Sequence, residues 1–301
     1  MAMRRWMLLS KKTGQLGNRL TVYAHCLAAA RERGYRFLNP AFCEYAPFFV
    51  GPRAHVAAAD ELPAADAREP SARARTLGYL LARAAYKSAK VVKHVSFGAI
   101  AVARARNEEH LDLRAVVEAA ELRGCRYLVL QGYHFRHNPW FAAHDGFIRE
   151  FLAAAAPWAT EGRDAVAALR RECDTVVGVH IRHGDYREHL GGRFFWPVPQ
   201  YAAFMARMVA LLAPARVGFM VCSNAVHGRE DFHGFTWRAG PGHLVSDQQA
   251  LAGCDWILGP PSSFSSWAAY VGRSRLLRLE DPLLPFHLED FQSLATPDPL
   301  Y

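Results

Sequence analysis

The chain has 301 residues, 51% of them hydrophobic, and 36 Lys and Arg against 28 Asp and Glu give a formal net charge of +8. That is apolar material for two medium-sized domains with real cores, and no apolar stretch approaches the roughly 20 residues of a membrane-spanning helix. Six cysteines are scattered singly, which excludes a C-x-x-C zinc or redox motif and points to buried reduced thiols. The amino terminus lacks the apolar run and cleavage site of a secretory signal, so the expected location is the cytoplasm. The positive balance favours anionic partners (nucleotides, nucleic acid or an acidic membrane surface) without choosing among them.

In chain order, a strand is expected at 6–9, followed by the turn Gly14-Gln15-Leu16-Gly17-Asn18 and a helix over 19–33. Two glycines between strand and helix let main-chain N–H groups approach an anion, although a merely tight turn explains them equally well. It is not a dinucleotide fingerprint, because the middle glycine of G-x-G-x-x-G is missing. Residues 59–72 read as an exposed loop. The stretch 73–93 reads as a helix carrying Arg73, Arg75, Arg83, Lys87, Lys90 and Lys93 with almost no acidic residue. A solvated face is the favoured reading of that helix, over a membrane- or polyanion-binding surface. A strand at 127–130 leads into 131–141, where Tyr133, His134, Trp140 and Phe141 suit the faces and hydroxyls of a sugar or, more plainly, core packing.

From 174 onward strands and helices alternate: strand 175–182, helix 199–213, strand 216–222, helix 247–253, strand 255–258, helix 264–272 and strand 275–279. Such alternation predicts a parallel, Rossmann-like sheet, hence an α/β chain of two units, 1–172 and 173–301. In such sheets ligands sit beyond the carboxyl ends of the strands. The run from Val176 to Ile181 ends there in Arg182-His183-Gly184-Asp185-Tyr186. Arg182 is a permanent cation with a planar fork of donors, suited to a diphosphate, or simply a surface arginine. His180, His183 and Asp185 fall within six residues, but on an extended backbone the two imidazoles point to opposite faces, which argues against a shared metal ion. Farther on, Ser262 to Ser266 open a helix, where hydroxyls and free N–H groups can grip phosphate or simply cap the helix. Asp247 begins a helix too, as a cap or as a carboxylate accepting from the N1–H and amine of guanine.

Taken in order, these clusters resemble the bacterial α-1,2-fucosyltransferases of glycosyltransferase family 11. Gly14 to Leu20 with Tyr23-Ala24 is similar to the family's G-G-L-G-N-Q…Y-A opening. Gly132-Tyr133 with Trp140-Phe141 resembles G-Y-x-Q…Y-F, and His180 to Tyr186 the H-x-R-R-G-D-Y signature. Asp247, Cys254 and Ser262 to Tyr270 follow the final D…C…N-S-S-F-S-W-W-A-A pattern. His183, Pro261, Ser266 and Arg19 depart from it, standing where the pattern has arginine, asparagine, tryptophan and glutamine.

The resemblance implies a GT-B architecture of two Rossmann-like domains facing across a cleft, the second binding GDP-fucose without a metal. It would give Arg182 the β-phosphate, His180 the nucleoside side, Asp247 the guanine, Ser265 and Ser266 the diphosphate, and Gly14, Gly17 and Asn18 a place in the cleft. Tyr133 and His134 are the acceptor candidates. Asp185 is the candidate catalytic carboxylate beside Arg182, with a turn-stabilising role as its alternative. The implied activity is inverting, metal-independent transfer of fucose to a glycan or lipid-linked oligosaccharide, in surface polysaccharide synthesis. The competing reading is a catalytically silent GDP-sugar or glycan-binding module on the same scaffold. The basic helix leaves room for peripheral contact with an anionic membrane, nucleic acid is not expected as a partner, and no cofactor is required.

Overall fold

The computed structural model describes residues 4–55, 61–62, 68–92, 99–105 and 110–297, with the backbone alone at 89–92, 185 and 189. Half of the expected loop 59–72 lies outside the described residues, as do Lys93 and the side chain of Lys90. The chain forms two compact units, Met1–Ala155 and Ala156–Tyr301.

In the first unit, β1 (Arg5–Leu9) leads to α1 (Leu16–Arg33), which closes on Gly34 in the left-handed conformation, and β2 (Tyr35–Leu38) follows at once. Next come the single-turn α2 (Val50–Arg53), α3 (Ala72–Val92), β3 (Ile100–Arg104), β4 (Leu111–Asp112) and α4 (Leu113–Leu122), whose first turn is capped by Asp112. The unit ends with β5 (Tyr127–Gln131), β6 (Phe135–Arg136), α5 (Asn138–Ala143) and α6 (Asp145–Phe151). Its main sheet is parallel throughout, in the order β2-β1-β5-β3. The chain moves from β1 outward to β2, then returns on the other side of β1, so the strand order reverses between β1 and β5. The strands β2 and β3 escape the sequence pattern: each is short, and β3 is Ala-rich with no apolar alternation to mark it.

The second unit starts with α7 (Trp158–Arg170), then β7 (Thr175–Ile181), α8 (Val198–Leu212), β8 (Val217–Ser223), β9 (Thr236–Ala239), α9 (Leu244–Ala252), β10 (Trp256–Gly259), α10 (Ser263–Gly272) and β11 (Arg275–Arg278). All five strands run parallel in the order β11-β10-β7-β8-β9. The alternating period of a strand sorts β7 cleanly. Val177, Val179 and Ile181 pack with Tyr201, Phe204 and Met208 of α8, while Val176 packs with residues of α7, α9 and α10 on the other face. The unit boundary expected at 172/173 therefore falls before α7 rather than after it. Helix α7 presents Gly162, Val166 and Leu169 inward, Ser246 donates to Glu161 at 2.6 Å, and Arg170 pairs with Asp255 at 2.8 Å.

The crossing of α7 on α9 is tight. A Cβ at Gly162 would lie 2.7 Å from the Ser246 carbonyl and 2.8 Å from the Ala250 nitrogen, both main-chain atoms that cannot swing aside. Gly162→Val is accordingly expected to lower the unfolding free energy by about 1–3 kcal/mol, read from the denaturant midpoint of the full chain. An unchanged midpoint would contradict the seating of α7 on the second unit.

Candidate active site

In the second unit the strand order reverses between β7 and β10, the place where an open α/β sheet leaves a crevice beyond its carboxyl ends. Three groups meet there. His180, 3% exposed, is the penultimate residue of β7, and its ring lies 5.1 Å from that of Phe264 in the first turn of α10. Its Nδ1 has no hydrogen-bond partner among the described residues. Burial, and then the neighbouring Arg182 cation, push its pKa from 6.5 down to about 3, so the imidazole is neutral. Arg182 leaves the strand half-buried, its guanidinium 4.6 Å from the centre of the Tyr186 ring. Tyr186 is itself tied across the reversal, donating its hydroxyl to the Pro261 carbonyl at 3.0 Å. Asp185 lies on the short 3₁₀ turn Gly184–Arg187, but its side chain is outside the described residues.

His183 takes the opposite face from His180. Its Nε2–H donates to the Trp196 carbonyl at 2.8 Å and its ring stacks near Phe195, so it anchors the loop rather than extending the cationic clamp. Its backbone N–H donates to Asn224 Oδ1 at 2.8 Å. Asn224 stands on a turn braced by a side-chain chain that no motif announces. His227 faces Asp231 through Nδ1 at 3.3 Å and Ser223 Oγ through Nε2 at 3.1 Å. Burial lowers the His227 pKa despite Asp231, which leaves Nε2 free to accept the Ser223 hydroxyl.

Asp247 lies one strand beyond His180. In register His180 pairs with Cys222, whose thiol points to the Asp247 carbonyl. The helix cap of α9 is His243, not Asp247, whose Oδ1 instead accepts from the Gly242 N–H at 2.8 Å. Burial raises the Asp247 pKa, opposed by that hydrogen bond and by His243.

The serines behave differently from one another. Ser262 caps α10, accepting from Phe264 N–H at 3.2 Å. Ser265 and Ser266 are fully buried, and both hydroxyls donate to the Ser262 carbonyl, at 3.1 and 2.9 Å. Their expected grip on a diphosphate is therefore not open to the hydroxyls, which are turned inward. What this turn can offer an anion is the main-chain N–H groups of α10. Two further polar groups reach the same turn without a motif. Arg278, at the end of β11, donates to Ser266 Oγ at 3.3 Å, and the wholly buried Gln248 donates to the Phe264 carbonyl while its Oε1 has no partner among the described residues. An arginine closing an apolar strand, as Arg182 does, was the available signal for Arg278.

In the first unit the expected residues flank the reversal between β1 and β5. Gly14 has φ +64°, and Asn18 folds back so closely that a Cβ at Gly14 would meet its Nδ2. Gly17 is buried, and its carbonyl accepts the Thr21 hydroxyl at 2.9 Å. Arg19 locks the turn, donating to the Gly14 carbonyl at 3.1 Å and pairing with Glu44, which Lys12 also reaches at 2.6 Å. Beyond β5, His134 is buried with its ring 3.8 Å from that of Tyr133, which stays half-exposed. Among the described residues no three His, Cys, Asp or Glu side chains form a metal-holding group.

No protein-family model and no curated protein matches this sequence. Solved structures do match the fold. A mutant of Arabidopsis thaliana FUT1 in complex with GDP aligns over 98% of this chain and 75% of its own, with a TM-score of 0.62 at 11% identity. Fucosyltransferase NodZ from Bradyrhizobium aligns over 92% of this chain and 96% of its own, with a TM-score of 0.53 at 17% identity. POFUT1 in complex with GDP aligns over 91% and 96%, with a TM-score of 0.51 at 11% identity. The chain has the GT-B fold of these enzymes.

A neutral His180 has a measurable consequence. In the unfolded chain its imidazole titrates near 6.5, so between that value and about 3 the unfolded state binds a proton the folded state refuses. Stability then falls as pH drops through this window, by about 2 kcal/mol from this group at about pH 5. His180→Gln is expected to flatten the acid limb of stability against pH by that amount, whereas an unaltered slope would contradict a buried neutral imidazole.

Proposed function

We propose that this chain is an inverting fucosyltransferase that moves fucose from GDP-fucose to a glycan hydroxyl without a metal ion. The observation that carries this reading is the constellation at the β7/β10 reversal: a permanent cation held on Tyr186, a buried neutral imidazole with an unpartnered Nδ1, and the start of α10. Departure of GDP concentrates negative charge on the diphosphate, and preorganised donors at fixed positions stabilise it without reorganising. Arg182 and the first N–H groups of α10 take that part. Asp247, acceptor-only when ionised, takes the N1–H and exocyclic amine of guanine, a pattern that adenine and uracil do not present. His180 packs on the nucleoside side, where a neutral ring does not compete with Arg182 for the phosphates. Asp185 is the carboxylate proposed to take the proton of the acceptor hydroxyl. The fold shared with fucosyltransferases crystallised with GDP agrees with this assignment.

The finer points rest on the sequence motifs. They are an α-1,2 linkage to a galactoside, a lipid-linked or free oligosaccharide acceptor with Tyr133 and His134 beside it, and a role in surface polysaccharide assembly in the cytoplasm. The arrangement of His183, Ser265 and Ser266, none of which offers a side-chain donor to the anion, favours as a second reading a module that binds GDP-sugar without turnover.

Incubation with GDP-fucose, a β-galactoside and EDTA, with the product analysed by NMR, tests both. The expected product is an α-fucosylated galactoside, and Arg182→Ala is expected to cut its formation by about 100-fold or more with the fold intact. Transfer at the wild-type rate by Arg182→Ala would sink the assignment, while binding of GDP-fucose with neither transfer nor hydrolysis would establish the silent module.

A further inference from the structure

Helix α3 is amphipathic the wrong way round for a solvated surface helix. Its protein-facing side carries Ala82 and Tyr86 together with a buried arginine: Arg75, 2% exposed, donates to the Arg53 carbonyl at 2.6 Å and the Pro52 carbonyl at 3.3 Å, which capture its guanidinium at the end of α2. The outward side carries Leu77, Leu80 and Leu81, exposed by 57%, 57% and 61%. Positions 77, 80, 81, 84 and 88 share one face at helical spacing, and all five are exposed. The hydroxyls beside this stripe are spent within the helix, Thr76 donating to the Ala72 carbonyl and Ser88 to the Ala84 carbonyl, each at 3.0 Å. What remains outward is hydrocarbon. The exposed cations Arg73 and Lys87 flank the stripe, and α3 contains no acidic residue from Ala72 to Val92.

Water is a poor solvent for that face, and a polyanion such as nucleic acid would leave its leucines in water. An anionic lipid surface satisfies both halves: acyl chains take the leucines and headgroup phosphates take the cations. We propose that α3 is a docking helix that lies in the interface of an anionic membrane, with Leu77, Leu80 and Leu81 inserted and Arg73 and Lys87 at the headgroups. No helix of the described residues is long and apolar enough to cross a membrane, so the contact is peripheral. The inference stands apart from the reaction assigned above, because it uses no residue of either carboxyl edge.

The test is cosedimentation of the full chain with vesicles of phosphatidylcholine alone and of an equal mixture with phosphatidylglycerol, at low and high salt. The expected result is binding to the anionic vesicles that weakens with salt. Arg73→Gln and Lys87→Gln are each expected to weaken it about fivefold. The triple variant Leu77→Ser, Leu80→Ser, Leu81→Ser is expected to lose about tenfold or more, with its melting temperature and GDP binding unchanged. Several results would overturn the proposal. They are absence of wild-type binding to anionic vesicles at low salt, full retention of binding by the serine variant, and a lowered melting temperature of that variant without vesicles, which would mean the leucines are covered within the folded chain. Stronger binding to an oligonucleotide than to the vesicles would assign the helix to nucleic acid, and a dimer in solution that the serine variant dissolves would assign the stripe to a second copy of the chain.

Discussion

The second unit turns on one close contact between two strand tips. At the end of β10, a Cβ on Gly259 would lie 2.5 Å from the carbonyl oxygen of His180 and 3.0 Å from its Cβ. Only a glycine lets β10 run that closely alongside β7 where the two strands end. Everything chemical at this edge follows from the approach. It brings the turn before α10 beside the tip of β7, lets Tyr186 reach the Pro261 carbonyl, and sets Phe264 against the His180 ring. A bulkier residue would separate the helix start from the arginine, and an anion between them would lose one of its two sides.

Electrostatically the edge is arranged by subtraction. Arg182 faces the crevice, and two imidazoles near it are kept from adding charge, His180 by burial and by Arg182 itself and His227 by burial. Asp247 sits across β8 with one oxygen already holding Gly242, so its orientation is fixed before any ligand arrives. Arg182 thus presents a cation and Asp247 a carboxylate at the same edge, a strand apart. Such preorganisation is what transition-state stabilisation asks of a site that loses a charged leaving group.

Much of this was legible in the sequence, for identifiable reasons. Strands β7, β8, β10 and β11 are largely buried and read as apolar runs, so they and the helices between them show plainly, each within a few residues of its observed bounds. The clusters at the strand tips show too, because polar groups interrupt those runs abruptly. In the second unit three things stayed hidden. β9 is mostly exposed and only four residues long, too short for its alternation of Trp237 and Ala239 with polar residues to stand out. The unit boundary was expected at 172/173, past α7, because the seating of that helix depends on Gly162 meeting α9, a contact between residues more than eighty positions apart. The orientation of hydroxyls was beyond reach: Ser265 and Ser266 look like phosphate ligands in a linear motif, yet helical geometry points both at the Ser262 carbonyl. Likewise a basic helix reads as solvated until the structure shows that it buries Arg75 and exposes its leucines.

What decides the function of this edge is whether it recognises a guanosine diphosphate through the chain's own residues. Calorimetric titration of the purified protein with GDP, UDP and ADP, each in EDTA, asks that directly. Saturable binding of GDP, with at most weak binding of the other two, is the expected result. Equal binding of all three, preference for UDP or ADP, binding that appears only when a divalent metal is restored, or no binding of any nucleotide would contradict it.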